Sequence, residues 1–232
     1  MRLAIIPARG GSKRIPRKNI KNFCGKPMLA WSIEAARRSG CFDRVVISTD
    51  DDEIADIAIR YGAEVPFLRP TSLSDDYTGT VPVVAHAINW HQQQGVEPSL
   101  VCCIYATAPF VRPNDITEGL EKLVNSGCDY AFSVTSYPFP IQRAVRINNE
   151  GRVSMFQPKY LHTRSQDLEE AFHDAGQFYW GASHAWLEGR PIFGVNSVPV
   201  VLPRYRVQDI DTPEDWLRAE WMFNAQLNTS ID

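Results

Sequence analysis

Short β-branched runs alternate with amphipathic stretches from the first residues to about Thr135, and this alternation limits the possible folds more than any other feature. Leu3 to Pro7 reads as a strand. Met28 to Arg38 carries Leu29, Ile33 and Ala36 at helical spacing until Gly40 stops it. Arg44 to Ser48 is the next strand, and Glu53 to Tyr61 a helix with Ile54, Ile57, Ala58 and Tyr61 on one face. Glu64 to Leu68, Leu100 to Tyr105 and Tyr130 to Thr135 are expected as strands, and Val81 to about Gln94 and Asp115 to Val124 as helices. Such an order implies right-handed crossovers and a mainly parallel sheet covered on both faces, a three-layer α/β fold. Ligands of these sheets sit beyond the carboxyl ends of the strands, which brings the segments after Ile6, Thr49 and Tyr105 together. From about 136 to 172 the alternation gives way to a Pro-rich, aromatic and charged stretch, read as an excursion from a single domain spanning 1–232. Gln177 to Gly181 and Asn196 to Val201 resume the strand pattern.

A formal net charge of -3 argues against a nucleic-acid partner. The five cysteines are odd in number and lack C-x-x-C spacing, so they read as free thiols. The first apolar run is too short for a signal peptide, and no run is long enough for a bilayer. The expectation is a cytoplasmic chain with no membrane partner.

Directly after the first strand comes Pro7-Ala8-Arg9-Gly10-Gly11-Ser12-Lys13-Arg14-Ile15-Pro16-Arg17-Lys18-Asn19. Gly10 and Gly11 let backbone amides turn toward an anion, and Arg9, Lys13, Arg14, Arg17 and Lys18 supply positive charge for a triphosphate. A charge run by itself is more often a solvated loop, but its place at the end of an apolar strand favours binding. The Walker spacing of a P-loop kinase is absent.

A second feature is Asp209-Ile210-Asp211. In extended backbone, residues i and i+2 share a face, so the carboxylates converge while Ile210 turns inward. Two hard oxygen ligands suit Mg²⁺, with waters and substrate phosphates completing its shell. Thr212, Pro213 and Asp215 explain part of the clustering as a helix start, but leave Asp209 without a role. Asp50-Asp51-Asp52 is a rival cluster; Asp51 and Asp52 read as the start of the following helix.

Ile6 to Asn19, followed by Gly25-Lys26-Pro27-Met28, resembles the opening motif of the acylneuraminate cytidylyltransferases. Val46-Ile47-Ser48-Thr49-Asp50, Leu68-Arg69-Pro70 and Val207-Gln208-Asp209-Ile210-Asp211-Thr212 resemble later motifs of that family in the same order. His162 to Leu168 and His173 to Gly181 are similar to its subgroup that activates pseudaminic acid. The resemblance implies a Rossmann-like nucleotidyltransferase fold of the nucleotide-diphospho-sugar transferase type. It also implies transfer of CMP from CTP to the anomeric C2 hydroxyl of a nonulosonic acid, with in-line loss of pyrophosphate.

By the same resemblance, Ala8, Arg9, Gly10, Gly11, Ser12, Lys18 and Asn19 would bind the phosphates and ribose, and Arg69 and Thr80 the cytidine. Asp209 and Asp211 would hold the metal, and would act with Arg9 and Lys18 in catalysis. Tyr105 stands where sialate-activating relatives carry glutamine, so the acceptor pocket differs from theirs. Tyr105, Arg164, Gln166, His173 and Asp174 are the expected acceptor contacts, with the Arg164 fork suited to the sugar carboxylate. A lone histidine such as His173 is more often structural. The 136–172 excursion resembles the family's dimerisation arm and implies a homodimer, with Arg143 or Lys159 available to reach across it. The competing readings are a sister enzyme acting on N-acetylneuraminate, legionaminate or Kdo, and a catalytically dead sensor, which would have lost the acid pair.

Overall fold

A computed structural model describes residues 1–228. Strand β1 (Arg2–Pro7) leads through a short hairpin, β2 (Asn22–Phe23) and β3 (Lys26–Pro27), into helix α1 (Met28–Ser39). Gly40, at φ 66°, ends α1 in the left-handed region that a side chain disfavours. After β4 (Arg44–Ser48), Asp51 caps α2 (Asp52–Arg60) by accepting the Ile54 amide at 3.0 Å. Helix α3 (Thr80–Gln93), β5 (Leu100–Ile104), α4 (Pro113–Ser126) and β6 (Tyr130–Ser136) follow the expected order. The excursion holds one hairpin, β7 (Val145–Ile147) with β8 (Val153–Met155), and three-residue 3₁₀ turns. The chain returns through β9 (Phe172–Ala182), α5 (Ser183–Leu187), β10 (Ser197–Val201) and α6 (Pro213–Asn228).

The central sheet has the order β10-β6-β9-β5-β1-β4. Pairs β1–β4, β1–β5 and β6–β10 are parallel, whereas β9 is inserted antiparallel between β5 and β6. Alternation along β1 distributes the core. Ala4 and Ile6 pack with Leu29, Ile33 and Ile116, from α1 and α4, on one face; Leu3 and Ile5 pack with Val84, Ile88 and Trp186, from α3 and α5, on the other. A third cluster joins Phe23, Met28, Ile210, Trp216 and Phe223, and so fastens α6 beside the hairpin.

Glu64 to Leu68 does not form the expected strand. Only single bridges occur, Val46 with Glu64 and Thr49 with Leu68. Pro66, lacking an amide donor, interrupts the ladder between them. The register of β9 against β6 also breaks, from Phe132–Tyr179 to Val134–Asp174. The Ser133 hydroxyl spans the gap by accepting the amides of Gln177 at 3.3 Å and Phe178 at 3.2 Å. Beyond this irregularity Asp174 lies within reach of the Tyr179 hydroxyl, which donates to it.

Candidate active site

A cleft of about 270 Å³ opens beyond the carboxyl ends of β1 and β5. The loop after β1 contributes Arg9, Ser12, Lys13, Arg14, Lys18 and Asn19; Arg69, Thr78 and Thr80 form another wall, and Tyr105, Thr107 and Asp211 close it. Of the sequence-derived nucleotide residues, Arg9, Ser12, Lys18, Asn19, Arg69 and Thr80 therefore face one space. Ala8, Gly10 and Gly11 do not line it: Ala8 is fully buried and continues the β1–β4 ladder through its amide to Ser48 at 2.9 Å, whereas Gly11 is exposed.

Acidic partners hold the loop in shape. The Gly10 amide donates to Asp50 Oδ1 at 2.9 Å, and Asn19 Nδ2 donates to the Arg9 carbonyl at 2.9 Å. Asp50 thus acts as a tie for the loop. Arg9 and Lys13 pair with Asp76, and Arg14 Nη2 lies 2.9 Å from Asp211 Oδ2. Arg17 departs from its expected role. Its backbone is left-handed, at φ 56°, and its guanidinium turns away from the cleft onto Asp51 and Glu53. That contact holds the Asp51 carboxyl below the usual carboxylate range. Asp75 and Asp76 were not singled out from the sequence; an Asp-Asp pair seven residues after Leu68 carries no local signal of contact with a distant basic loop.

Arg69 is almost fully buried, and its Nε and Nη2 have no hydrogen-bond partner among the described residues. Burial pushes its pKa down, with Asp50 opposing the shift from 3.8 Å. A cleft-lining guanidinium with uncommitted donors is suited to an acceptor on a ligand.

On the far side, Lys18 Nζ donates to the Ile210 carbonyl at 2.6 Å and to Asp211 Oδ1 at 3.2 Å. Ile210 is fully buried, so the acids on either side of it project outward as the i, i+2 spacing predicts. Asp209 is exposed and does not line the cleft itself, yet partial desolvation of its carboxyl and the charge of Asp211 together raise its pKa. Thr212 and Asp215 form the expected helix start: the Thr212 amide donates to Asp215 Oδ2 at 2.8 Å and the Asp215 amide to Thr212 Oγ1 at 3.2 Å. The Asp211 amide also donates to Asp215 Oδ2, at 3.2 Å, but the carboxylates of Asp209 and Asp211 take no part in that cap. Two hard carboxylates, one strained by its like-charged neighbour, fit a divalent cation. Among the described residues no group of three or more His, Cys, Asp or Glu side chains is placed to hold a metal ion, so phosphates and water would fill the other positions.

The acceptor-side residues divide. Tyr105 lies in the cleft, its hydroxyl 3.0 Å from Thr80 Oγ1 and its ring 5.2 Å from that of Tyr179. Tyr179, not singled out from the sequence, donates to Asp174 Oδ2 at 2.5 Å, and burial raises the pKa of both tyrosines. Asp174 also accepts the Gly176 amide at 2.9 Å. His173 turns its ring toward Tyr137 and the Asp174 carbonyl, the structural role expected of a lone histidine. Arg164 and Gln166 are not brought to the cleft within the chain. Both are exposed on the excursion, where the Arg164 fork grips Asp167 at 2.7 and 3.1 Å.

Comparison with known proteins bears on this geometry. Residues 3–186 match the family model described as cytidylyltransferase. A pseudaminic acid cytidylyltransferase of Campylobacter jejuni is 50% identical over 213 residues, covering 92% of each chain. A CMP-N,N'-diacetyllegionaminic acid synthase of Legionella pneumophila is 32% identical over 222 residues, covering 94% of each. A CMP:2-keto-3-deoxy-manno-octonic acid synthetase solved with CTP superposes with a TM-score of 0.70 at 16% identity, over 97% of this chain and 99% of that one, a likeness of fold. With its sequence matched along most of its length and the loops of its sheet meeting in one cleft, this chain belongs to the cytidylyltransferase family.

Proposed function

We propose that this enzyme transfers CMP from CTP to the anomeric C2 hydroxyl of pseudaminic acid, releasing pyrophosphate, as one catalytic domain in the cytoplasm. The observation that carries the reading is the meeting of Lys18 and Asp211 at 3.2 Å, which joins the basic loop to the acid pair at one cleft. The 50% identity to the Campylobacter enzyme supports the choice of sugar. So does Tyr105, which lines the cleft at the position where, by the family resemblance, sialate-activating relatives carry glutamine.

Arg9, Ser12, Lys18 and Asn19 would hold the phosphates and ribose, and the free donors of Arg69 and the Thr80 hydroxyl would orient the cytidine. Asp209 and Asp211 would hold Mg²⁺, which when bound neutralises phosphate charge and raises the electrophilicity of the α-phosphorus. Lys18 keeps Asp211 aimed into the cleft, and the basic loop stabilises charge that builds on the departing pyrophosphate. Tyr105, held between Thr80 and Tyr179, would position the acceptor, with Asp174 behind it.

The excursion exposes Phe139, Ile147, Val153, Phe156 and Leu161 on a structure with little core of its own, which supports pairing of two copies through it. In that arrangement Arg164 and Gln166 would serve the partner's acceptor site rather than their own. The test of the function is pyrophosphate release from CTP and Mg²⁺ with pseudaminate, N-acetylneuraminate, N,N'-diacetyllegionaminate and Kdo in turn. Turnover confined to N-acetylneuraminate would overturn the choice of sugar, and absence of turnover with all four would overturn the reaction.

A further inference from the structure

Between the last strand, ending at Val201, and α6, beginning at Pro213, the chain runs without regular structure apart from one 3₁₀ turn at Arg204–Arg206. This segment carries Asp209 and Asp211, and irregular backbone fixes side chains only where something ties it down. One tie is Lys18, at its downstream end, where the Asp211 amide and Gln208 Nε2 also donate to Asp215 at 3.2 and 3.3 Å. At its upstream end Thr135 Oγ1 donates to the Leu202 carbonyl at 2.8 Å. The buried tie between these ends is Arg206. The residue is 6% exposed, and its guanidinium meets Asp115, 7% exposed, through two parallel bonds: Nη1 to Oδ2 at 2.6 Å and Nη2 to Oδ1 at 3.0 Å. Asp115 lies in the first turn of α4 and also accepts the Arg112 amide at 3.2 Å, so it is fixed to a helix packed on the sheet. The Arg206 carbonyl accepts Gln177 Nε2, from the buried middle of β9, at 2.6 Å.

Stability alone does not account for this arrangement. A buried ion pair recovers its desolvation cost only when every polar atom is satisfied, and apolar residues of similar size often serve as well. Here Arg206 Nε and Gln177 Oε1 are buried with no hydrogen-bond partner among the described residues. What the fork does supply is direction, because a bidentate pair admits one geometry.

We infer that Arg206 and Asp115, assisted by Gln177, are positioning residues that set the register of the Asp209–Asp211 segment against the sheet and thereby its affinity for a divalent cation. The inference rests on the proposed metal role of those two acids. Arg206 does not touch substrate; it acts through the backbone of Val207 and Gln208, which separate it from Asp209.

The test is Mn²⁺ binding to the full-length protein in the presence of CTP without acceptor sugar, followed by electron paramagnetic resonance, together with the thermal midpoint. The double variant Arg206→Met/Asp115→Leu removes both charges and leaves net charge unchanged. It is expected to stay folded while its Mn²⁺ affinity falls tenfold or more, and Arg206→Lys, which keeps charge without the fork, should lie between it and the parent. A folded double variant with parental Mn²⁺ affinity overturns the inference. Gln177→Met, which leaves the ion pair in place, gives a second test should the double variant not fold: a threefold or greater loss of affinity is expected, and parental affinity overturns the inference. Asp209→Asn separates the two claims. If it binds Mn²⁺ as the parent does, the metal reading fails; if it loses binding while the Arg206 variants keep theirs, only the positioning role fails.

Discussion

Lys18 Nζ lies 3.2 Å from Asp211 Oδ1 and 2.6 Å from the carbonyl of Ile210, so the loop after the first strand and the segment before the last helix meet across 192 residues of sequence. Lys18→Met keeps most of the stem and removes the ammonium. We expect kcat to fall about 10²-fold or more, the usual cost of losing one preorganised charged donor, while the protein stays folded. Steady-state kinetics beside a thermal melt check this; a change in stability with kcat preserved would restrict Lys18 to holding the segment in place.

Gly10 and Gly11 are adjacent but not equivalent. A Cβ at Gly10 would stand 2.7 Å from Asp51 Oδ2 and 3.1 Å from Asp51 Cβ, and Asp51 is not free to retreat because Arg17 and the α2 amides hold it. At Gly11 a Cβ meets nothing within 4 Å. Gly10→Ala is therefore expected to cost about 1–3 kcal/mol, and Gly11→Ala no more than about 0.5 kcal/mol. Urea denaturation of both variants decides it, and equal losses would contradict this account of the loop.

The pairing of Arg17 with Asp51 makes a prediction about pH. Asp51 has its carboxyl held below the usual range, chiefly by the Arg17 hydrogen bond, so its contribution is complete above the unfolded-state value and disappears as pH falls through the folded one. Asp51→Asn retains an oxygen for the helix cap and loses the charge. It should destabilise by about 0.5–1 kcal/mol near neutrality, since the pair is partly exposed, and the gap should close as pH falls below the usual carboxylate range. A gap independent of pH would place the effect in the cap.

The layered fold was legible because the strands of β1, β4 and β5 are continuous apolar runs and the helices between them keep strict spacing. The antiparallel place of β9 was not, since a pairing between β5 and β6 is long-range and leaves no trace in local periodicity. The cleft was legible where residues of one chemistry lie together in sequence, as they do from Arg9 to Asn19, and at Asp211. It was illegible where one acid selects among several bases. Nothing local distinguishes Arg17, drawn away by Asp51 and Glu53, from Lys18, which reaches Asp211. Tyr179 and Arg206 escaped notice for the same reason, being defined by Asp174 and Asp115, distant or displaced across an irregular strand.

Tyr105 connects the two halves of the cleft through Thr80 at 3.0 Å and the Tyr179 ring. Tyr105→Phe preserves the ring packing and deletes one hydroxyl. A lost hydrogen bond of about 1.4 kcal/mol lowers kcat/KM for the acceptor sugar about tenfold. The KM for CTP should change less, because Arg69 and the basic loop are untouched. A larger effect on CTP than on the sugar would move Tyr105 from the acceptor side to the nucleotide side.

The exposed position of Arg164 leads to a test of pairing. Its fork lies on the excursion, bound to Asp167 and away from the cleft of its own chain, so a role in binding the sugar carboxylate requires a second copy. The parent should sediment as a dimer at micromolar concentration, and Phe139→Ser/Phe156→Ser, which removes two exposed rings, should shift it toward monomer. Arg164→Ala and Asp211→Asn should each be poorly active alone. Mixed and re-equilibrated, they should regain activity, because in the mixed dimer one cleft has its own Asp211 and receives Arg164 from the partner. Activity that does not rise on mixing, from subunits shown to exchange, would place Arg164 outside the reaction or return it to its own chain's site.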